Sequence, residues 1–257
     1  DMASSVNLFD VDDQYFYIQT DKGAPNSKVV IAPLNKPQSE NWIDLIPEQK
    51  EVLSVNTGGG NIFCSYLKDA ITKVLQYDMK GNKIREVVLP GLGTASGFNG
   101  KRKEKTVFYS FSSYTTPSTI YKMDIASGKA EVYKKPTLQF NSDDYESKQV
   151  FYPSKDGTKI PMMITYKKGI KLDGNNPTLL YAYGGFSVSI TPYFSTSDII
   201  LLENGGIYAV ANLRGGGEYG ETWHNQGIKT KKQNVFDDFI YAAKYLKDNK
   251  YTSKEKL

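Results

Sequence analysis

The stretch best equipped for chemistry is Tyr181-Ala182-Tyr183-Gly184-Gly185-Phe186. The run Leu179-Leu180-Tyr181-Ala182-Tyr183 shows no alternation, which predicts a strand buried on both faces. The two glycines that follow let the backbone turn where side chains would clash. Such a strand delivers Tyr183 and Phe186 to the end of a sheet. A phenol is neutral and protonated near pH 7, so the Tyr183 hydroxyl could donate a hydrogen bond to a developing alkoxide. Spacing alone leaves a second reading open, in which both aromatics pack at the sheet end.

Other candidates are weaker. Leu213-Arg214-Gly215-Gly216-Gly217-Glu218-Tyr219-Gly220 contains G-x-G-x-x-G after an apolar run, and Asp237 lies 20 residues beyond Gly217, where a dinucleotide fold places its ribose acid. The context opposes that reading: Glu221-Thr222-Trp223-His224-Asn225-Gln226-Gly227 lacks helical periodicity, and Asp237 falls in the first turn of a predicted helix. A glycine-rich connection, with Arg214 and Glu218 able to hold it by ion pairing, accounts for the stretch. His224 is the only histidine and no G-x-S-x-G occurs, so a structural role is expected for it. Lys229, Lys231 and Lys232 read as a solvated basic turn. Asp10-Val11-Asp12-Asp13 reads as a solvated acidic turn, because it lacks the glycine and distal glutamate of a calcium loop. One Cys and one His cannot make a typical structural zinc site, so neither metal nor cofactor is expected.

A formal charge of +4 is small beside 32 basic and 28 acidic residues, and the lysines are scattered. Nothing therefore points to a nucleic-acid or membrane partner. The single cysteine, Cys64, excludes an intrachain disulfide and reads as a small buried strand residue. A cytoplasmic setting is expected, with the periplasm as the alternative. No apolar run approaches the roughly 18 residues of a membrane helix, and no secretory leader is visible after Asp1-Met2.

Two patterns divide the elements that must position the loop. Phe16, Phe63 and Phe108 recur at steps of 47 and 45 residues, and Val29, Val74 and Ile120 at 45 and 46. Units of about 45 residues with several short strands have the size of a β-propeller blade, and residues 1–137 hold nearly three. Three blades do not close a ring, so this half reads as part of a propeller. After a polar connector at 137–148, Gln149-Val150-Phe151-Tyr152 and Lys159-Ile160-Pro161-Met162-Met163-Ile164 flank Asp156-Gly157, a hairpin signal. A strand at 178–183, a helix at 197–204 ended by Gly205, and a buried strand at 207–211 then predict a mostly parallel sheet. A helix is predicted over 234–247, capped by Asn234, with Phe236, Phe239 or Ile240, Ala243 and Leu246 as its apolar stripe. Tyr251 to Leu257 point to a further element beyond the sequence.

Four stretches taken in order closely resemble the prolyl oligopeptidase family. They are Phe151 to Met162, Tyr181-Ala182-Tyr183-Gly184-Gly185-Phe186, Ala211 to Gly220, and Lys232 to Phe239. The resemblance covers about 148–257, while the repeats before it resemble the last blades of that family's propeller. It implies a partial β-propeller over 1–137 followed by the N-terminal part of an α/β-hydrolase domain over 138–257. It implies a serine endopeptidase that hydrolyses short peptides on the carboxyl side of proline, with the propeller capping the site. In that family the tyrosine matching Tyr183 donates to the tetrahedral oxyanion, and the phenylalanine matching Phe186 lines the proline pocket. The nucleophilic serine, aspartate and histidine are expected only after Leu257, so this chain alone is expected to be inactive. A non-catalytic peptide-binding propeller and an esterase on the same hydrolase fold are the alternatives.

Overall fold

The repeats of about 45 residues become three consecutive antiparallel sheets in the computed structural model, which describes residues 4–257. The first sheet holds Val6–Val11 (β1), Tyr15–Thr20 (β2), Lys28–Pro33 (β3) and Ile43–Ile46 (β4). The second holds Val52–Gly58 (β5), Asn61–Lys68 (β6), Ile71–Asp78 (β7) and Lys83–Glu86 (β8). The third holds Thr94–Asn99 (β9), Thr106–Ser112 (β10), Thr119–Asp124 (β11) and Ala130–Lys134 (β12). Each is a meander whose strands pair in chain order.

A four-stranded blade with two apolar faces must stack on its neighbours. Tyr17, Val29, Val55, Ile62 and Cys64 fill the space between the first two sheets, and Phe63, Val74, Val107, Tyr109 and Met123 that between the second and third. The Phe98 ring stacks 4.6 Å from that of Tyr109. The matched aromatics are nevertheless one residue out of step. Phe63 faces the third sheet, but in the first sheet the residue facing forward is Tyr17, 46 positions earlier; Phe16 lies on the opposite face with Ile18. Side chains alternate along a strand, so steps of 46 and 47 point in opposite directions.

The fourth sheet has the order β13-β14-β16-β15, where β13 is Tyr145–Pro153, β14 Lys159–Lys167, β15 Thr178–Ala182 and β16 Ile207–Ala211. Its antiparallel hairpin turns at Asp156-Gly157, with Gly157 at φ +82°. β13 starts four residues inside the expected connector, because the polar residues from Glu146 to Lys148 pair with β14. The parallel part of the sheet is β15 with β16, joined by Thr196–Glu203 (α1). On one face Ile199 and Leu202 of α1 pack with Met163, Tyr208 and Val210; on the other, Gln233–Asp248 (α3) packs Val235, Ala242 and Leu246 on Ile160, Met162 and Ala209.

Three sequence expectations fail here. β15 is not buried on both faces: Leu179 is 50% and Tyr181 41% exposed, because this strand is the edge of the described sheet. The buried face of α3 is Val235, Asp238, Ala242 and Leu246, while Phe236, Phe239 and Ile240 are exposed. A charged residue takes the middle of the face, which rotates the stripe away from the apolar count. Asn234 does not cap the helix; its amide donates to Gln226 O, and Lys232 is the N-cap residue. Among the described residues no helix is long and apolar enough to cross a membrane.

Candidate functional site

The carboxyl ends of β15 and β16 lead into loops that touch the three-sheet half. After β16 the Tyr219 hydroxyl donates to Asp69 Oδ1 at 2.6 Å, in the tight turn between β6 and β7. After β15 the chain runs along the third sheet, where Thr94 Oγ1 donates to Pro192 O at 2.7 Å and Phe194 N to Ser112 Oγ at 3.1 Å. Open α/β sheets bind ligands outside the carboxyl ends of their parallel strands. Here that region lies between the hydrolase-like sheet and the blades.

Tyr183 follows β15 directly and is 47% exposed, so its ring is not locked in apolar packing. Phe186 is 85% exposed. Gly184 is sterically required: it has φ +63°, and a Cβ there would stand 2.7 Å from Val235 Cγ1 and 2.9 Å from Leu213 Cβ. Gly185 is not, since the nearest atom to its Cβ position is the Tyr183 ring at 3.8 Å. Phe186 and Ser187 both adopt left-handed backbone, with φ +51° and +56°. Two successive non-glycine residues in that region cost roughly 1–2 kcal/mol each.

Contacts from distant residues hold this turn. Ser187 N donates to Gly215 O at 3.1 Å, His224 Nδ1 lies 2.8 Å from the same oxygen, and Lys232 Nζ donates to Gly184 O at 2.9 Å. His224 therefore has the structural role expected of it, but at the loop itself. Lys232 departs from expectation, since it is half-buried and bonded rather than part of a solvated turn. No local pattern marks a lysine whose partner lies 48 residues away.

Beneath the loop is a buried ionic cluster. Arg214 Nη2 lies 2.6 Å from Asp238 Oδ1 and Nη1 2.6 Å from Asp156 Oδ2; Ser154 Oγ donates to Asp238 Oδ1 at 2.5 Å. Hydrogen bonding from Arg214, against some burial, draws the Asp156 carboxyl down to about 2. Burial pulls the pKa of the guanidinium down, but its bonds to Asp238 and Asp156 outweigh this and raise it. Glu218, expected to pair ionically, does not. Its Oε1 accepts from Ile190 N and Asn212 Nδ2, its Oε2 has no partner among the described residues, and burial raises its pKa.

The glycine-rich stretch continues into a short helix, Gly220–Asn225 (α2), which its sequence did not suggest because six residues are too few to show a period. It makes no phosphate cradle. Residues 212–218 are buried, and a Cβ on Gly217 would stand 2.3 Å from Ser187 O, so the Tyr183 loop fills that space. The acidic turn is also not merely solvated, since Asp10 binds Arg102 at 2.9 Å and Asp12 accepts from the Tyr17 hydroxyl at 2.8 Å. Among the described residues no group of three or more His, Cys, Asp or Glu side chains is placed to hold a metal ion.

Comparison with known proteins fits this geometry. Residues 3–136 match the model of the prolyl oligopeptidase N-terminal beta-propeller domain, and residues 192–257 that of the prolyl oligopeptidase family. The chain is 55% identical over 252 residues to a prolyl endopeptidase of Elizabethkingia meningoseptica, covering 98% of this chain and 36% of that protein. It is 41% identical to a prolyl endopeptidase of Dictyostelium discoideum, covering 95% and 34%. A solved prolyl endopeptidase superposes with a TM-score of 0.89 at 45% identity, covering 98% of this chain and 37% of that one. Prolyl oligopeptidase B of Galerina marginata, bound to a 35mer hydrolysis and macrocyclization substrate, superposes with a TM-score of 0.89 at 36% identity over 99% of this chain and 36% of that one. The chain spans about a third of the length of these relatives. Its partial propeller, the hydrolase-like sheet that follows and the matches in both halves make it a member of the prolyl oligopeptidase family.

Proposed function

We propose that this chain is part of a serine endopeptidase that cleaves short peptides on the carboxyl side of proline. In this reading residues 1–137 are blades that roof the site and limit substrate size, and residues 138–257 begin the catalytic domain. Tyr183 donates its hydroxyl to the oxyanion of the tetrahedral intermediate, and Phe186 lines the pocket for the proline ring. A neutral phenol in a sheltered site stabilises new negative charge without proton transfer, worth roughly 3–4 kcal/mol of barrier. A flat ring beside a pyrrolidine gives apolar contact and shape selection without polar demands.

The observation carrying this reading is the exposed Tyr183 ring, set at the carboxyl end of β15 on the side where the hydrolase-like sheet meets the blades. The chain has no G-x-S-x-G and one histidine, so the serine, aspartate and histidine come from hydrolase residues beyond Leu257. Residues 1–257 alone are then inactive. The single cysteine of these 257 residues forms no intrachain disulfide, which fits a cytoplasmic setting, with the periplasm as the alternative.

The test is to assay the full-length protein that carries this chain on a chromogenic proline peptide, its alanine counterpart and a simple ester. Cleavage confined to the proline peptide supports the reading. Ester hydrolysis alone would make it an esterase, and peptide binding without cleavage a scaffold. Enzyme-like turnover by purified residues 1–257 would overturn the assignment of the triad to the missing part.

A further inference from the structure

We infer that His224 and Lys232 are positioning residues, which hold the Tyr183–Ser187 turn so that the Tyr183 hydroxyl and the Phe186 ring stand at a fixed separation and angle. The inference rests on the roles proposed above for those two aromatics. Its starting point is a conflict. The turn carries two successive left-handed non-glycine residues, Phe186 and Ser187, yet the Phe186 ring is 85% exposed and contributes little packing to offset the strain. Something outside the turn must over-determine it.

The anchors fall on either side of Phe186. Before it, the Gly184 carbonyl accepts from Lys232 Nζ at 2.9 Å; after it, Ser187 N donates to Gly215 O at 3.1 Å. His224 fixes that second anchor. A carbonyl oxygen can only accept, so the 2.8 Å contact between His224 Nδ1 and Gly215 O requires the hydrogen on Nδ1. Ser187 N, 3.1 Å from the same ring nitrogen, then gives its hydrogen to Gly215 O. One oxygen thus accepts two donors, one from the ring and one from the turn.

Both anchoring side chains stand on rigid ground. The neighbouring Trp223 is buried and donates its ring N–H to Leu213 O at 3.0 Å, while its own carbonyl accepts from Gly215 N at 3.0 Å. Lys232 opens α3, whose first turns are tied to Arg214 through Asp238. The frame that locates Tyr183 is therefore the glycine-rich loop and the start of α3. A displacement of the order of 1 Å in a reacting group is enough to lower catalysis about 100-fold.

The test uses the full-length protein and a proline peptide substrate. Asparagine places an amide where Nδ1 stands and glutamine where Nε2 stands, so His224→Asn keeps the bond to Gly215 and His224→Gln loses it. His224→Gln and Lys232→Met should each lower kcat/KM about 10- to 100-fold, and His224→Asn and Lys232→Arg should recover most of it. In a Tyr183→Phe background the kcat part of each loss should vanish, because the group being aimed is gone. Equal losses in both backgrounds, or His224→Asn as impaired as His224→Gln, would overturn the inference. If Tyr183→Phe alone leaves turnover unchanged, the oxyanion reading itself falls and takes this one with it. Should His224→Gln fail to fold, Lys232→Met at the half-buried start of α3 carries the same comparison.

Discussion

The guanidinium of Arg214 lies 2.6 Å from the carboxylate of Asp238, and the two residues are 2% and 0% exposed. The pair joins the loop after β16 to the second turn of α3, and Ser154 Oγ and the Tyr152 hydroxyl add bonds to the Asp238 carboxylate and backbone. Removing one partner strands a charge in the interior. Asp238→Ala should therefore cost roughly 3–5 kcal/mol of stability, and the double replacement Arg214→Met with Asp238→Leu distinctly less. Chemical denaturation of the wild type, the single and the double variant measures both, and equal costs would show that the buried charge is not the cause.

Asp156 meets the same guanidinium from the solvent side. Its carboxyl falls from 3.8 to about 2, mainly through the bond from Arg214. A depressed folded-state value adds stability that is present above pH 4 and lost as pH falls through 2. The side chain is 48% exposed, so solvent screening limits the effect to about 1 kcal/mol or less. Stability measured at pH 6 and pH 2.5 should fall further in the wild type than in Asp156→Asn, and parallel falls would remove this assignment.

Cys64 is fully buried between the first two blades, and burial pushes its thiol up to about 12. The reactive thiolate is then scarce and inaccessible in the folded chain. A thiol reagent should label it only after denaturant is added. Rapid labelling of the native protein would mean that the first two sheets separate readily.

Crowding separates two glycines that look alike in sequence. A Cβ at Gly217 would stand 2.3 Å from Ser187 O and 2.9 Å from Ser189 Oγ, whereas at Gly91 nothing lies within 4 Å. Gly217→Ala should cost about 1–3 kcal/mol by overpacking, and Gly91→Ala should stay within about 0.5 kcal/mol of wild type. Thermal unfolding of the two variants checks the contrast.

These contrasts show what the sequence could and could not reveal. Strands, the hairpin at Asp156-Gly157 and the helix before Gly205 were legible because periodicity and turn residues act locally. The recurrence of Phe16, Phe63 and Phe108 gave the repeat but not the face, because an irregularity in the β3–β4 pairing and unequal loops lie between Phe16 and Phe63, and a one-residue difference in spacing reverses a strand's face. The stripe of α3 was misjudged because Asp238 is buried for a partner 24 residues earlier, which apolar counting ignores. At the candidate site, the strand and its turn glycine were readable from Leu179 to Gly184. The bonds from His224 and Lys232 were not, since nothing in their local pattern points to the carbonyls of Gly215 and Gly184, 9 and 48 residues away.

Tyr183 and Phe186 sit three residues apart on one turn, yet their proposed roles separate in kinetics. The phenol meets charge that exists only in the transition state, so Tyr183→Phe in the full-length protein should lower turnover about 100- to 1000-fold and leave the preference for proline intact. The Phe186 ring meets the substrate before and during reaction alike, so Phe186→Ala should act mainly on KM and on discrimination between proline and alanine peptides. An apolar contact of that kind is worth about 1–3 kcal/mol, or 10- to 200-fold in selectivity. Turnover and KM for both peptides, measured on both variants, check the separation. If the two substitutions gave the same profile, the turn would be acting as one packing unit, and neither side chain would have the individual role assigned to it.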